Sequence, residues 1–406
     1  MKQHHQKQES SISALSPPVT NVLMKVLPIV MAVFVGFLTI GIQLPVLPLH
    51  LHEGLGMGTL VVGMVIGSEF VAALLTRAWA GNYADMRGAK RAMLLGTMMA
   101  ACSGMVYLIS LAFVETPEVS VWILLGGRIL LALGQSLLVT GSMSWGIGLV
   151  GPKNAGKVMA WNGIAMYGAY AIGAPLGVAM NSEWGFQGIA VAIFFIPLLA
   201  LAITVGTKGV VPTSDRRIPF YKVLSAVWLP GLGLALSSVG FGVISAFIAL
   251  LFAAKHWGHS SIAFAVFGLA FIGARIFFGH LPDKIGGAKV ALVSVMIEAG
   301  GQFLIWGSDM PEIAYVGAAL TGFGYSLAFP GFGVEALRRA PPQTRGLAMG
   351  AYAAFLDLSL GIATPLAGAI ANAWSVGSVY LVGAISVGLS IFVAIKLLNV
   401  ASVQHG

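Results

Sequence analysis

Arg77-x3-Gly81-x3-Asp85-x2-Gly88, closed by Ala89-Lys90, recurs as Arg275-x3-Gly279-x3-Asp283-x2-Gly286, closed by Ala288-Lys289. The four paired positions share one offset of 198 residues, and each copy sits where one apolar stretch ends and the next begins. A second set of matches holds an offset of 190: Gly134-x-Ser136-Leu137 with Gly324-x-Ser326-Leu327, Gly156-x2-Met159 with Gly346-x2-Met349, and Pro175-Leu176 with Pro365-Leu366. The chain is therefore a tandem of two related halves, the second about eight residues shorter around its 9–10 connection. Duplicated apolar halves are the mark of proteins that expose one central site alternately to the two sides of a membrane.

Composition places the chain in lipid. It is 58% hydrophobic and 9% charged, whereas a soluble domain carries about 25% charged residues. Its apolar runs are long enough to cross a bilayer core as helices. Its 53 glycines suit close helix–helix contact, because backbones without a Cβ approach one another and gain dispersion energy. The expected fold is an all-α integral membrane protein of twelve transmembrane helices in two pseudo-symmetric six-helix bundles. The spans fall at 23–51, 57–80, 91–114, 119–148, 156–181 and 186–206, then at 224–252, 258–281, 288–308, 312–337, 346–371 and 376–399. This gives a tail at 1–22, a first bundle at 23–206, a linker at 207–223 carrying Asp215, Arg216, Arg217 and Lys222, a second bundle at 224–399 and a tail at 400–406. Nothing near the start has the form of a cleaved leader. Cys102 stands alone, so no disulfide forms within the chain.

The formal net charge of +8 is explained by its placement. Of the 22 Lys and Arg residues, 20 fall at one set of span ends; Arg128 lies inside a span and Lys255 on the opposite side. Basic short loops stay cytoplasmic during insertion, so both termini are expected in the cytoplasm. The excess reports topology, and no nucleic-acid partner is expected.

With these motifs in place, the whole chain resembles the major facilitator superfamily. Gly81-Asn-Tyr-Ala-Asp85-Met-Arg-Gly88-Ala-Lys90-Arg91 looks like that family's loop signature between spans 2 and 3. Arg128 with Gly134 looks like its fourth-span signature. The fifth span, with Gly168, Gly173, Pro175 and Gly177 and with Pro365 as the second-half partner, is similar to the helix-bending signature of its proton-driven exporters. Within the superfamily the chain looks most like bacterial arabinose-efflux or drug-efflux permeases. The resemblance implies that Arg77, Gly81, Asp85, Gly88 and Arg91, with Arg275, Gly279, Asp283 and Gly286, form a conformational latch favouring the outward-facing state. From the residues alone, Gly81 and Gly88 permit a tight helix–loop–helix passage. Asp85 can accept bonds from a helix start or pair with Arg77.

Four charges lie well inside spans: Glu69, Arg128, Glu298 and Asp357. Each costs at least about 2.5 kcal/mol at a lipid-exposed midplane, so each should face protein or water. Buried carboxyls of this kind can load and release protons. Asp357, Glu69 and Glu298 are the candidates for proton coupling. Asp357 stands where the first half has Tyr167, so the repeat is broken there. Glu298 shares a face with Ser294 and Gln302, which also fits a structural hydrogen-bond network. Arg128, Gln135 and Ser142 form a polar stripe on the fourth helix. With Gln43, Thr39, Tyr170 and Tyr325, they make a candidate substrate cavity. Three in-span acids against one in-span base leave room for a cationic or zwitterionic substrate.

No nucleotide loop, metal-ligand cluster or hydrolytic triad is present in the sequence, so neither an enzyme nor a metal site is expected. The expected function is proton-coupled efflux of a small organic compound, by antiport, across the bacterial inner membrane. The protein would act as a monomer in the lipid bilayer, with the proton as coupling ion and no other cofactor. The alternatives are a proton symporter or uniporter for a sugar or organic acid, and a non-transporting membrane receptor.

Overall fold

A computed structural model describes residues 19–151, 154–210, 221–340 and 345–403. Most of the 1–22 tail, linker residues Asp215, Arg216 and Arg217, and the last three residues lie outside the described residues. All regular structure among those described is helical. The long helices are α1 Val19–Gly41, α2 Thr59–Arg87, α3 Ala89–Leu111 and α4 Pro117–Val150. Next comes one helical run, Ala155–Val205, which holds α5 and α6. The second half contributes α7 Tyr221–Ala254, α8 Ser260–Phe278, α9 Gly287–Trp306, α10 Pro311–Arg339, α11 Arg345–Ala373 and α12 Ser378–Val403.

The Ala155–Val205 run contains two spans. Its apolar part is 49 residues, roughly 70 Å as helix against a bilayer core of about 30 Å. The backbone leaves helical geometry at Gly185 (φ 60°, ψ −165°), a region that glycine enters without a Cβ clash. The chain reverses there. Near the start of α5, Val158 packs on Gly146 at the end of α4. At the end of α6, the carbonyls of Val205 and Thr207 accept bonds of 2.6 and 2.7 Å from the Lys90 ammonium at the start of α3. Both ends therefore lie on the face bearing the repeated cassette. Lys90 caps α6, a favourable place for a cation. Among the described residues, eleven apolar helical stretches, one of them doubled at Gly185, make twelve transmembrane helices.

The repeat is visible in the backbone. Gly88 and Gly286 end their cassettes at φ 97°, ψ 139° and φ 99°, ψ 139°, a conformation closed to most other residues. Helices α4 and α10 both start on Pro-Glu, with Pro117 and Pro311 where a missing N–H costs nothing and Glu118 and Glu312 favoured by the helix dipole. The copies also differ. Helix α2 stays helical through Gly81 to Arg87, whereas α8 stops at Gly279 and a short helix, Leu281–Ile285, finishes the cassette. The expected tight passage at Gly81 is thus corrected: the turn is at Gly88 alone. The first span is broken too. Helix α1 ends at Gly41, and Val46–Leu49 and a π-helical turn, His50–Gly54, complete the crossing.

Within each half, α3 packs on α4 and α9 on α10, while α1 packs on α5 and α7 on α11. The halves meet along two seams, α2 with α11 and α5 with α8. The pairing of α2 with α8 and α5 with α11 in the repeat makes these seams two copies of one contact.

Candidate functional site

The centre of the molecule is built on α4. Arg128 is buried, and its Nη2 lies 2.5 Å from Oε2 of Glu69 on α2. Both side chains are nearly sealed, at 4% and 6% exposure. The guanidinium also reaches Gln43 Oε1 on the first span at 3.4 Å and the Ile66 carbonyl at 3.3 Å. Tyr107 of α3 donates to the same Gln43 oxygen at 2.9 Å. Gly127 makes room for that ring: a Cβ there would come within 2.6 Å of the Tyr107 ring carbons. One local residue thus places a partner from another helix beside Arg128. The network lines a small cavity of about 30 Å³, which Gln43, Glu69, Arg128 and Tyr170 share with Phe241 and Ser245 of α7. That is the volume of about one water molecule. The two halves therefore close on each other here over a charged pair.

The α2–α11 seam is closed along its length. Near the start of α2, Thr59 Oγ1 donates to the Gly368 carbonyl at 3.0 Å. Further along, Gly63 and Gly67 let α2 lie against Thr364 and Pro365, and any Cβ at either glycine would collide with α11. Toward the cassette, Arg77 Nε donates to Asp357 Oδ2 at 2.7 Å and a second guanidinium nitrogen meets the same oxygen. Asp357 is sealed at 5% exposure, while Arg77 keeps 31%. From Thr59 to Arg77 the seam runs roughly 27 Å along the helix.

The α5–α8 seam is aromatic where its copy is ionic. Tyr167 of α5 stacks on Phe271 of α8 with ring centroids 3.7 Å apart. Tyr325 of α10 and Phe241 of α7 complete the cluster, 6.1 and 5.8 Å from Tyr167. Arg275 sits over the Phe271 ring at 5.5 Å. Its Nε is buried and lacks a hydrogen-bond partner among the described residues.

The structure brings Arg128, Gln43, Glu69 and Tyr170 to one cavity and leaves other expected residues apart. Thr39 is buried and bonds the Gly36 carbonyl, so it braces its own helix. Gln135 is buried two turns from Arg128, away from the small cavity. Tyr325 belongs to the aromatic seam. Glu298 lies inside the second half, accepts from Ser237 at 2.6 Å, and has Gln302 nearby bonded to the Gly240 carbonyl and Thr321. It faces neither seam. The larger recess, about 460 Å³ between α2, α4 and α11, is apolar and carries no charged side chain.

Arg77 pairs with Asp357 and not with Asp85, which corrects the expected local pair. Eight residues of unbroken helix set Arg77 and Asp85 about 12 Å apart along the axis. Asp85, Arg91 and Asp283 are exposed on the cassette face. Among the bend residues, Gly173 and Gly177 carry the α1–α5 crossing, packing on Gly41 and Ile42. Pro175 and Pro365 lie within α5 and α11. Sequence reasoning missed Tyr107, Phe241 and Ser245. Only burial in a polar neighbourhood singles them out, and spacing carries no sign of that. It also counted Arg77 and Arg275 as span-end charges. Both turn inward, so the tally of three acids against one base does not describe the site: Glu69 and Asp357 are each paired with an arginine.

This arrangement defines a polytopic membrane transporter of two repeated halves closing over a charged centre. The model of the Major Facilitator Superfamily matches residues 29–252 and 230–405, and the chain belongs to that family. It is 42% identical over 353 residues to an uncharacterised MFS-type transporter of Salmonella typhimurium, covering 87% of this chain and 91% of that one. A similar transporter of Burkholderia mallei is 41% identical over 363 residues, 89% of each. Among solved structures, a D-xylose–proton symporter superposes with a TM-score of 0.74 at 15% identity, covering 92% of this chain and 97% of that one. The human organic anion transporter MFSD10 gives 0.68 at 16%, covering 93% and 100%. These two show the shared fold. The family's members are transporters, not enzymes, which does not favour a non-transporting receptor.

Proposed function

We propose that the protein exports a small organic compound in exchange for protons, by alternating access, in the bacterial inner membrane with both termini cytoplasmic. This is the mode of the proton-driven exporters whose helix-bending signature its fifth span resembles. The observation that carries the reading is the ion pair joining Arg77 in one half to Asp357 in the other. Separating α2 from α11 strips Asp357 of its cation within a sealed environment. A proton delivered to Asp357 removes that penalty, so proton binding and bundle separation become one event. Glu69 and Arg128 form a second pair, held within one half at the shared cavity. A substrate group entering there competes with one of the two partners. The proton is the only cofactor the reading needs.

The test is flux in proteoliposomes carrying an imposed pH gradient and an internal pH dye, challenged with a panel of organic compounds. Export by antiport predicts that compound and proton move in opposite directions. Co-directional movement would replace it with symport.

A further inference from the structure

The two seams between the halves are copies of one contact, yet only one is neutralised from within. On the α2–α11 side, Arg77 meets the carboxylate of Asp357. On the α5–α8 side the repeat places Arg275 in the role of Arg77 and Tyr167 in the role of Asp357. Among the described residues no carboxylate lies within ion-pair distance of Arg275. The guanidinium lies over the Phe271 ring, and its Nε is buried without a hydrogen-bond partner among the described residues. A cation partly withdrawn from solvent without a counter-charge carries a desolvation cost, which is offset when an anion reaches it. The planar fork of an arginine suits a carboxylate or phosphate with two parallel hydrogen bonds.

Around this cation the walls are aromatic. Phe271 lies under the guanidinium at 5.5 Å, and Tyr167 stacks on Phe271 at 3.7 Å. Phe271 and Tyr325 are buried, while Tyr167 and Arg275 keep partial exposure at the edge of the cluster. Such walls favour a flat apolar body attached to the anionic group.

We propose that Arg275 and the Tyr167–Phe271 stack form the substrate's anion subsite, and that the substrate is a small aromatic or otherwise planar organic anion. In this arrangement the substrate supplies to the α5–α8 seam the negative charge that Asp357 supplies to its copy. Closing the second seam over a bound anion leaves both inter-bundle arginines neutralised. The inference rests on the transport reading for the word substrate. The subsite itself is read by binding alone.

The experiment uses the full chain purified in a neutral detergent, with thermal unfolding followed as ligand is added. The probes are benzoate, 2-naphthoate and phenyl phosphate, with benzamide and benzylamine as neutral and cationic counterparts. At least one of the anions is expected to raise the unfolding temperature saturably, with neither counterpart doing so. Arg275→Gln should weaken that response about tenfold or more. Arg275→Lys should retain part of it, because charge survives and the fork does not. Tyr167→Asp restores the repeat and gives Arg275 an internal partner, so it should remove anion binding while the protein stays folded. If Arg275→Gln does not fold, Arg275→Lys and Tyr167→Asp carry the comparison. The proposal is overturned if none of the three anions shifts the wild type, if benzamide does so equally, or if the response survives both Arg275→Gln and Tyr167→Asp. A response to phosphatidylglycerol in the micelle, without one to the soluble anions, makes this a lipid-headgroup contact and overturns it too. Anion binding without flux under any gradient defeats the transport reading and leaves the subsite standing. Flux with no anion binding does the reverse.

Discussion

Asp357 was visible in the sequence as a charge present in one half only, and its partner was not. Arg77 sits 280 positions away, and no spacing rule reaches across two helical bundles. A pair this sealed on the acid side has a distinct mutational signature. Asp357→Asn is expected to abolish gradient-driven flux while permitting substrate exchange, measured in vesicles with and without a pH difference. Exchanging the two charges, Arg77→Asp with Asp357→Arg, should recover more function than either single change. Arg128 and Glu69 call for a different measurement. Arg128→Ala strands a buried carboxylate and should cost about 3–5 kcal/mol in unfolding experiments, whereas Glu69→Gln with Arg128→Gln should cost much less. Equal losses in the single and double variants would show that packing, not charge, dominates there.

Helix positions were far more legible than contacts. Most span limits read from apolar runs lie within a few residues of the observed helices, because hydrocarbon thickness and backbone satisfaction leave little freedom. The exceptions have local causes. Helix α2 runs seven residues beyond its expected end at 80, since Gly81 weakens a helix without ending it and the backbone turns to positive φ only at Gly88. The first span stops at Gly41, because Pro45 has no N–H for the Gly41 carbonyl and its ring clashes with that carbonyl. The same stretch is crossed closely by Gly173 and Gly177 of α5. That crossing gives a packing prediction. At Gly173 even a Cβ would fall 2.8 Å from Gly41, so Gly173→Leu or Gly177→Leu should destabilise the fold by about 1–3 kcal/mol or more. The readouts are a lowered unfolding temperature and reduced yield of monodisperse protein. Gly81, with open space around it, should accept alanine without such a loss.

Taken together, the halves touch along two symmetric seams and must part along at least one of them to move anything. Duplication at fixed offsets made the existence of such seams readable; which side chains met across them was not, because bundle rotation decides it. Val71 and Gly361 offer a direct handle, since a Cβ on residue 361 would lie 3.4 Å from the Val71 backbone nitrogen. In a Cys102→Ser background, Val71→Cys with Gly361→Cys should cross-link under mild oxidation, arrest exchange, and release it on reduction. Undiminished exchange through the oxidised protein would mean that this seam never opens.

The reversal at Gly185 has a practical corollary for anyone handling this molecule. A corner turned by one residue presents no slack polypeptide for a protease to thread or an antibody loop to clasp, and an inserted tag would prise two spans apart. The stretch between α3 and α4, residues 112–116, is non-helical and longer. It is the better place on that face to splice in a fiducial for imaging.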